Sequence, residues 1–197
     1  VNSDFKNLSV YTEVIQDGMF DLIDKDKIDM ISGTSLSPSP DGLKRFYDNI
    51  EKYSKKIILR PQEISNNGEV GRRIGVIAMN TALEMDIYGH VNSTHVSGTK
   101  LMNGIGGSGD FARNGFLSCF FCHSTAKGGA ISAVVPMCSH VDHTEHDTHV
   151  FISEQGVADV RGLSPKERAK LIINNVAHPD YSCLLYTSPS PRDATLS

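Results

Sequence analysis

Apolar and polar positions along the chain switch between a strand period and a helix period. Leu8 to Thr12 is a short apolar run that predicts a buried strand. Asp17 to Asp24 then sets Met19, Phe20, Leu22 and Ile23 on one side of a short helix with acids in its first turn. Ser39-Pro40 reads as an N-cap followed by proline at the first helical position, and the helix it opens spaces Leu43, Phe46, Tyr47 and Ile50 on one face. Lys56 to Leu59 predicts a strand stopped by Arg60-Pro61. Further strands are predicted over Ile74 to Met79, Leu83 to Ile87 and Val91 to Val96, punctuated by Gly89 and Gly98. Gly115 to Cys122, Ala130 to Cys138 and Val150 to Ser153 follow as apolar strands. Ser164-Pro165-Lys166-Glu167 is a capping box, after which Ala169, Ile172, Ile173 and Val176 share one helical face. Strands alternating with helices, several apolar throughout, predict an α/β domain with a largely buried, mixed or parallel sheet flanked by helices. From Leu184 to Ser197 neither period is present.

Composition narrows the function classes. The 197 residues are 39% hydrophobic and 21% charged, which excludes disordered, collagen-like and coiled-coil chains. A net charge of −4 leaves no basic surplus for a phosphate backbone, so no nucleic-acid partner is expected. No apolar run approaches the ~18 residues of a membrane span, so no membrane partner is expected either. Four cysteines are too few for a disulfide scaffold.

Three motifs invite chemistry. Gly104-x-Gly106-x-x-Gly109 has the letters of a dinucleotide fingerprint, but the segment before it is short and mixed and Ser124 to Ala130 holds no acid. Four glycines in six residues still let a backbone approach a ligand closely and turn N–H groups toward an anion or oxyanion. Cys119-Phe-Phe-Cys122-His123 matches a haem-attachment pattern, yet it lies in a predicted buried strand that sends the two thiols to opposite faces, as core residues. His140, His143, His146 and His149 recur every three residues with acids between them, which is the pattern of a metal site or of a polar, solvated loop. Glu13 and Glu154 each close an apolar strand, where α/β folds place ligands.

Several runs occur together and in order: Arg60-Pro-Gln-Glu-Ile-Ser-Asn66, Gly89-His-Val-Asn-Ser-Thr-His95, Met102-Asn-Gly-Ile-Gly-Gly-Ser-Gly-Asp-Phe-Ala-Arg113, Ser124-Thr-Ala-Lys-Gly-Gly129, His140-Val-Asp-His143 and Glu154-Gln-Gly-Val-Ala-Asp-Val-Arg-Gly162. On these the chain resembles the acetyl-CoA hydrolase/transferase family, in its CoA-transferase branch. The resemblance runs from about Lys6 to Tyr181 and implies a CoA-transferase-type domain. Residues 1–181 are expected to be the family's C-terminal domain, cut at its start, and residues 182–197 a non-native tail.

The resemblance implies movement of CoA between an acyl-CoA (acetyl- or succinyl-CoA) and a small carboxylic acid through a glutamyl-CoA thioester, with acetyl-CoA hydrolysis as the alternative. Glu13 matches the nucleophile. Gly107 matches an oxyanion donor that also touches CoA. Asn103 and Lys127 match positions near CoA, and Asn66 and Glu154 match residues that position the small acid or the reacting glutamate. CoA enters as substrate; no permanently bound cofactor and no metal are implied. The expected partners are acyl-CoA, small carboxylates and the N-terminal domain of the same chain, in a homodimer when intact; the part without that domain is expected to be inactive, and the location to be mitochondrial in a eukaryote and otherwise cytoplasmic.

Overall fold

The computed structural model of the protein describes residues 2–188, and the chain divides between Ile74 and Gly75 into two compact units. The first unit runs through β1 (Leu8–Tyr11), β2 (Val14–Ile15), α1 (Asp17–Asp24), β3 (Ile28–Gly33), β4 (Ser35–Leu36), α2 (Pro40–Asp48), α3 (Ile50–Tyr53), β5 (Ile57–Leu59), α4 (Gln62–Ser65) and α5 (Gly68–Ile74). Strands β1, β3 and β5 form a parallel sheet in that order, and β2 pairs with β4, also parallel. Parallel neighbours need crossovers, which α1 and then α2 with α3 supply. The core is Ile15, Phe20, Ile23, Ile28, Ile31 and Tyr53, with Phe20 stacked on Tyr53 at 5.0 Å between ring centroids.

The first turns of α1 and α2 are tied together. Asp17 accepts from Ser39 N (2.8 Å) and Ser39 Oγ (2.6 Å), and Ser39 is the N-cap of α2. Gly42 makes this contact possible, because a Cβ there would lie 1.9 Å from Asp17 Oδ1. The apolar face expected on this helix divides. Phe46 packs on the core, whereas Leu43, Tyr47 and Ile50 are exposed. Ile50 leaves the face because α2 stops at Asp48 and Asn49 (φ −124°, ψ 25°) breaks the period before Ile50 begins α3.

The second unit contains β6 (Ile77–Thr81), β7 (Glu84–Asp86), β8 (Val91–Asn92), β9 (His95–Val96), β10 (Lys100–Leu101), α6 (Ser108–Asn114), β11 (Leu117–Phe121), β12 (Thr125–Ala126), β13 (Ile131–Ser132), β14 (Val134–Val135), β15 (Val150–Ile152), β16 (Val157–Asp159), α7 (Pro165–Asn175) and α8 (Pro179–Thr187). Its main sheet has the order β16-β15-β11-β6, with β6, β11 and β15 parallel and β16 antiparallel to β15. A mixed sheet β14-β7-β8 and the hairpins β9–β10 and β12–β13 complete it. Phe120, Phe151 and Ala158 from the sheet pack with Ile172 and Ile173 of α7 and with Val176 at its C-cap, the face that the capping-box helix was expected to bury. Ser164 N and Oγ both meet Glu167 Oε2, at 2.9 and 2.6 Å. The α/β class and the mixed sheet match the alternation in the sequence.

Element edges differ where side chains take over backbone bonding. Ile74 ends a helix, and Gly75 at φ +68° turns the chain before β6. The run Val91 to Val96 breaks because Asn92 Oδ1 captures Thr94 N and His95 N. Ala130 to Cys138 breaks at Ala133, whose N–H goes to Ser124 O while Ser132 Oγ donates to Val134 O. Residues 182–187, read as the start of a tail, are helical in α8, with Leu185 buried in the core. Leu184 and Tyr186 beside it are exposed, so no period marks this helix. Residues 189–197 of the expected tail lie outside the described residues. Among the described residues no helix is long and apolar enough to cross a membrane.

Candidate functional site

Glu13 lies just past the carboxyl end of β1, between β1 and β2. Its carbonyl accepts from Thr34 N (2.8 Å) and Ser35 N (3.1 Å), which fixes its backbone beside the end of β3. The side chain is half-buried, and Asn66 Nδ2 donates to its Oε2 at 2.7 Å. Asn66 follows α4, the short helix that caps the carboxyl end of β5. That helix is held from below by the Tyr11 hydroxyl, which donates to Ile64 O and accepts from Asn67 N (3.2 Å). Residues 53 apart in sequence are thereby joined where open α/β sheets bind ligands.

In the second unit, Asn103 and Gly107 bracket the glycine loop. Asn103 is exposed, and its Nδ2 donates to Ser93 O at 3.4 Å. Gly107 is buried at the N-cap of α6. The loop is preceded by β10, half of an antiparallel hairpin rather than a strand of the parallel sheet, so the dinucleotide context is absent. Lys127 is exposed in the turn between β12 and β13, at φ +50°.

Glu154 follows the carboxyl end of β15. Its carboxylate accepts from Ser124 N (2.9 Å to Oε2), from Ser124 Oγ and from Gln155 Nε2 (3.2 Å). Led by the Ser124 hydroxyl, these donors lower its carboxyl to about 2. Glu154 stands at the rim of an open cleft of about 460 Å³ across the carboxyl ends of β6, β11 and β15, lined by Thr81, Phe121, Cys122, His123 and Ser153 among others. Sequence reasoning missed Ser124, which is fully buried. Its signal was weak: one serine just beyond an apolar strand.

The other motifs resolve as structure. Cys119 is buried in the middle of β11, and Cys122 packs against the core on the opposite parity, so the pair does not form a haem-attachment loop. Burial, with Glu154 nearby, pushes the Cys122 thiol up to about 12, which keeps it protonated and unreactive at neutral pH. The histidine run is solvated only in part, with His146 exposed and His140 and His149 half-buried. His143 is fully buried and His149 Nδ1 accepts from Ser118 N (3.1 Å). Among the described residues no group of three or more His, Cys, Asp or Glu side chains is placed to hold a metal ion.

Residues 42–188 match the family model described as the acetyl-CoA hydrolase/transferase C-terminal domain. The chain is 65% identical over 183 residues to a succinyl-CoA:acetate CoA-transferase of Clostridium kluyveri, covering 93% of this chain and 34% of that protein. It is 52% identical over 184 residues to an acetyl-CoA hydrolase of Candida albicans, covering 91% and 35%. Among solved structures, RipA from Yersinia pestis superposes with a TM-score of 0.79 at 28% identity, covering 93% of this chain and 44% of that one. The chain thus spans about a third of the length of the curated relatives it matches.

Proposed function

The chain belongs to the acetyl-CoA hydrolase/transferase family, and from that premise we propose that it is the C-terminal part of an enzyme that moves CoA from an acyl-CoA to a small carboxylate, with Glu13 as nucleophile. The observation that carries this is the Glu13 carboxylate, half-buried at the carboxyl end of a parallel sheet and held by Asn66 at 2.7 Å. A carboxylate so held presents one oxygen in a fixed direction, as nucleophilic catalysis requires.

The proposed sequence balances at each step. A Glu13 oxygen adds to the thioester carbonyl, and the tetrahedral oxyanion collapses to an acyl-glutamyl anhydride with loss of CoA thiolate. The thiolate adds to the glutamyl carbonyl and expels the first carboxylate, leaving a glutamyl-CoA thioester. The acceptor carboxylate then adds to that thioester, forming a new anhydride and freeing the thiolate. Attack of the thiolate on the acceptor's acyl carbon gives the new acyl-CoA and restores Glu13. By resemblance, the Gly107 amide is an oxyanion donor, worth about 3 kcal/mol if lost, and it also touches CoA. Asn103 and Lys127 serve CoA, with Lys127 as a point charge. Asn66 and Glu154 position the small acid or the glutamate.

Acetyl-CoA and succinyl-CoA are the proposed donors, and the Candida relative named a hydrolase favours water as a second acceptor. The same reading carries a homodimer, an inactive isolated C-terminal part and, in a eukaryote, a mitochondrial address. The test follows acetyl-CoA with the full-length protein, with and without succinate, and reads succinyl-CoA formed beside free CoA released. Succinyl-CoA formed without free CoA supports transfer; free CoA released equally with or without succinate supports hydrolysis. Glu13→Gln is expected to lower either activity by about 10³-fold or more. Retention of activity within tenfold sinks the assignment of Glu13.

A further inference from the structure

His140, Asp142 and His143 have no part in the chemistry above, yet each holds backbone or side chain of segment 93–108. His140 Nε2 meets the Gly98 carbonyl. Asp142 Oδ2 accepts from Ser93 N (2.8 Å) and Thr94 Oγ1 (2.8 Å). The Thr94 carbonyl in turn accepts from Met102 N (2.7 Å) and Asn103 N (3.3 Å), and the Ser93 carbonyl from Asn103 Nδ2 (3.4 Å). One end of the glycine loop is therefore fixed through Asp142.

The other end is fixed through His143, whose Nε2 lies 2.9 Å from Ser108 Oγ, the residue after Gly107. The Ser108 hydroxyl donates its proton to Ile105 O (2.8 Å), so its oxygen accepts and the Nε2–H of His143 donates. The second ring nitrogen, Nδ1, is buried without a hydrogen-bond partner among the described residues. A bare lone pair is tolerated there, but a buried N–H would be left unsatisfied. His143 is thus held neutral in the Nε2–H form, and burial lowers its pKa in the same direction. Its ring packs 4.9 Å from that of Phe120, and its backbone is locked to Val91 by bonds of 2.9 and 3.1 Å.

We infer that Asp142 and His143 are positioning residues that clamp the two ends of the glycine loop, Asp142 at Asn103 through Ser93 and Thr94, and His143 at Gly107 through Ser108, and so hold the loop ready for CoA. The inference rests on the proposed CoA roles of Asn103 and Gly107. Residues 101–106 of this loop are all exposed, so its order comes from these anchors rather than from its own packing. A loop that binds through backbone N–H groups gains affinity when its ordering is already complete.

The test uses the full-length protein with Ser108→Ala, His143→Ala, the pair together, and Ser108→Thr. Hydrogen exchange over residues 103–109 is read beside KM for acyl-CoA and for the acceptor acid. Ser108→Ala, at the loop surface, leaves the core intact. It is expected to speed exchange about fivefold or more, as for one lost hydrogen bond, and to raise KM for acyl-CoA by a similar factor with KM for the acid unchanged. The pair is expected to do no more than either alone, and Ser108→Thr to keep the parent's values. Unchanged exchange in Ser108→Ala overturns the clamp, as does an equal rise in both KM values. If the parent protein moves no CoA, the functional reading fails, and the exchange result alone then upholds or overturns the clamp.

Discussion

Removing the Asn66 side chain tests how much the contact with Glu13 contributes. Asn66→Ala deletes a neutral donor 2.7 Å from a carboxylate oxygen. The Asn66 backbone bond to Gln62 O (2.8 Å) stays, so α4 keeps its end. Hydrogen bonds to charged groups contribute about 1.5–3 kcal/mol. At about 1.4 kcal/mol per tenfold in rate, full loss of that term lowers kcat/KM about 10- to 100-fold. Glu13 keeps its backbone anchors to Thr34 and Ser35, so what is lost is the direction of the carboxylate rather than the residue's place. Asn66→Asp is expected to be worse than Ala, since it sets a second carboxylate against the first. The assay is the initial rate of acyl-CoA exchange by the full-length protein, with the thermal midpoint measured beside it. A kcat/KM within twofold of the parent, at an unchanged midpoint, refutes the idea that Asn66 orients the nucleophile.

Two further outcomes follow from the same contacts. Ser124→Ala removes the main cause of the depressed Glu154 carboxyl, so its NMR titration is expected to rise from about 2 toward the ordinary 4.5; an unmoved midpoint would discard the hydroxyl as the cause. Because that pKa is lowered by folding, its stabilising effect is present above about 4.5 and is lost as pH falls toward 2, a loss the variant should show more weakly. Gly42→Ala drives a Cβ to 1.9 Å from Asp17 Oδ1 and 2.9 Å from Pro38 Cβ, and is expected to cost about 1–3 kcal/mol, seen as a lower denaturation midpoint. A midpoint equal to the parent's would show that Asp17 can leave Ser39 freely.

Much of the fold was legible because burial imposes a period. The face of α7 and the strands at Gly115 and Val150 point apolar side chains into a core, whereas β1, expected to be buried, leaves Leu8 exposed and packs only Val10 partly on its core. Asn66, Gly107 and Glu154 were legible in another way, as residues within runs that resemble a family, and Glu13 as the position that the resemblance matches to its nucleophile. The hydrogen bonds that hold them were not. Ser124 beneath Glu154, and Ser108 beneath His143, are single hydroxyls whose positions carry no period and no spacing rule.

The amino-acid sequence by itself determined the alternation of strands and helices, the α/β class, the capped helix at Ser164 and the family. Local period, cap chemistry and ordered motifs are written in neighbouring residues. Only the tertiary structure decided that α4 sets Asn66 on Glu13, that Ser124 holds Glu154, and that His143 of the histidine run is buried against Ser108. Each of these depends on contacts between residues 30 to 53 apart, made by polar atoms at one distance and one angle. No pattern of hydrophobic and polar positions encodes such geometry; it arises only when the packed sheet fixes where the strand ends lie.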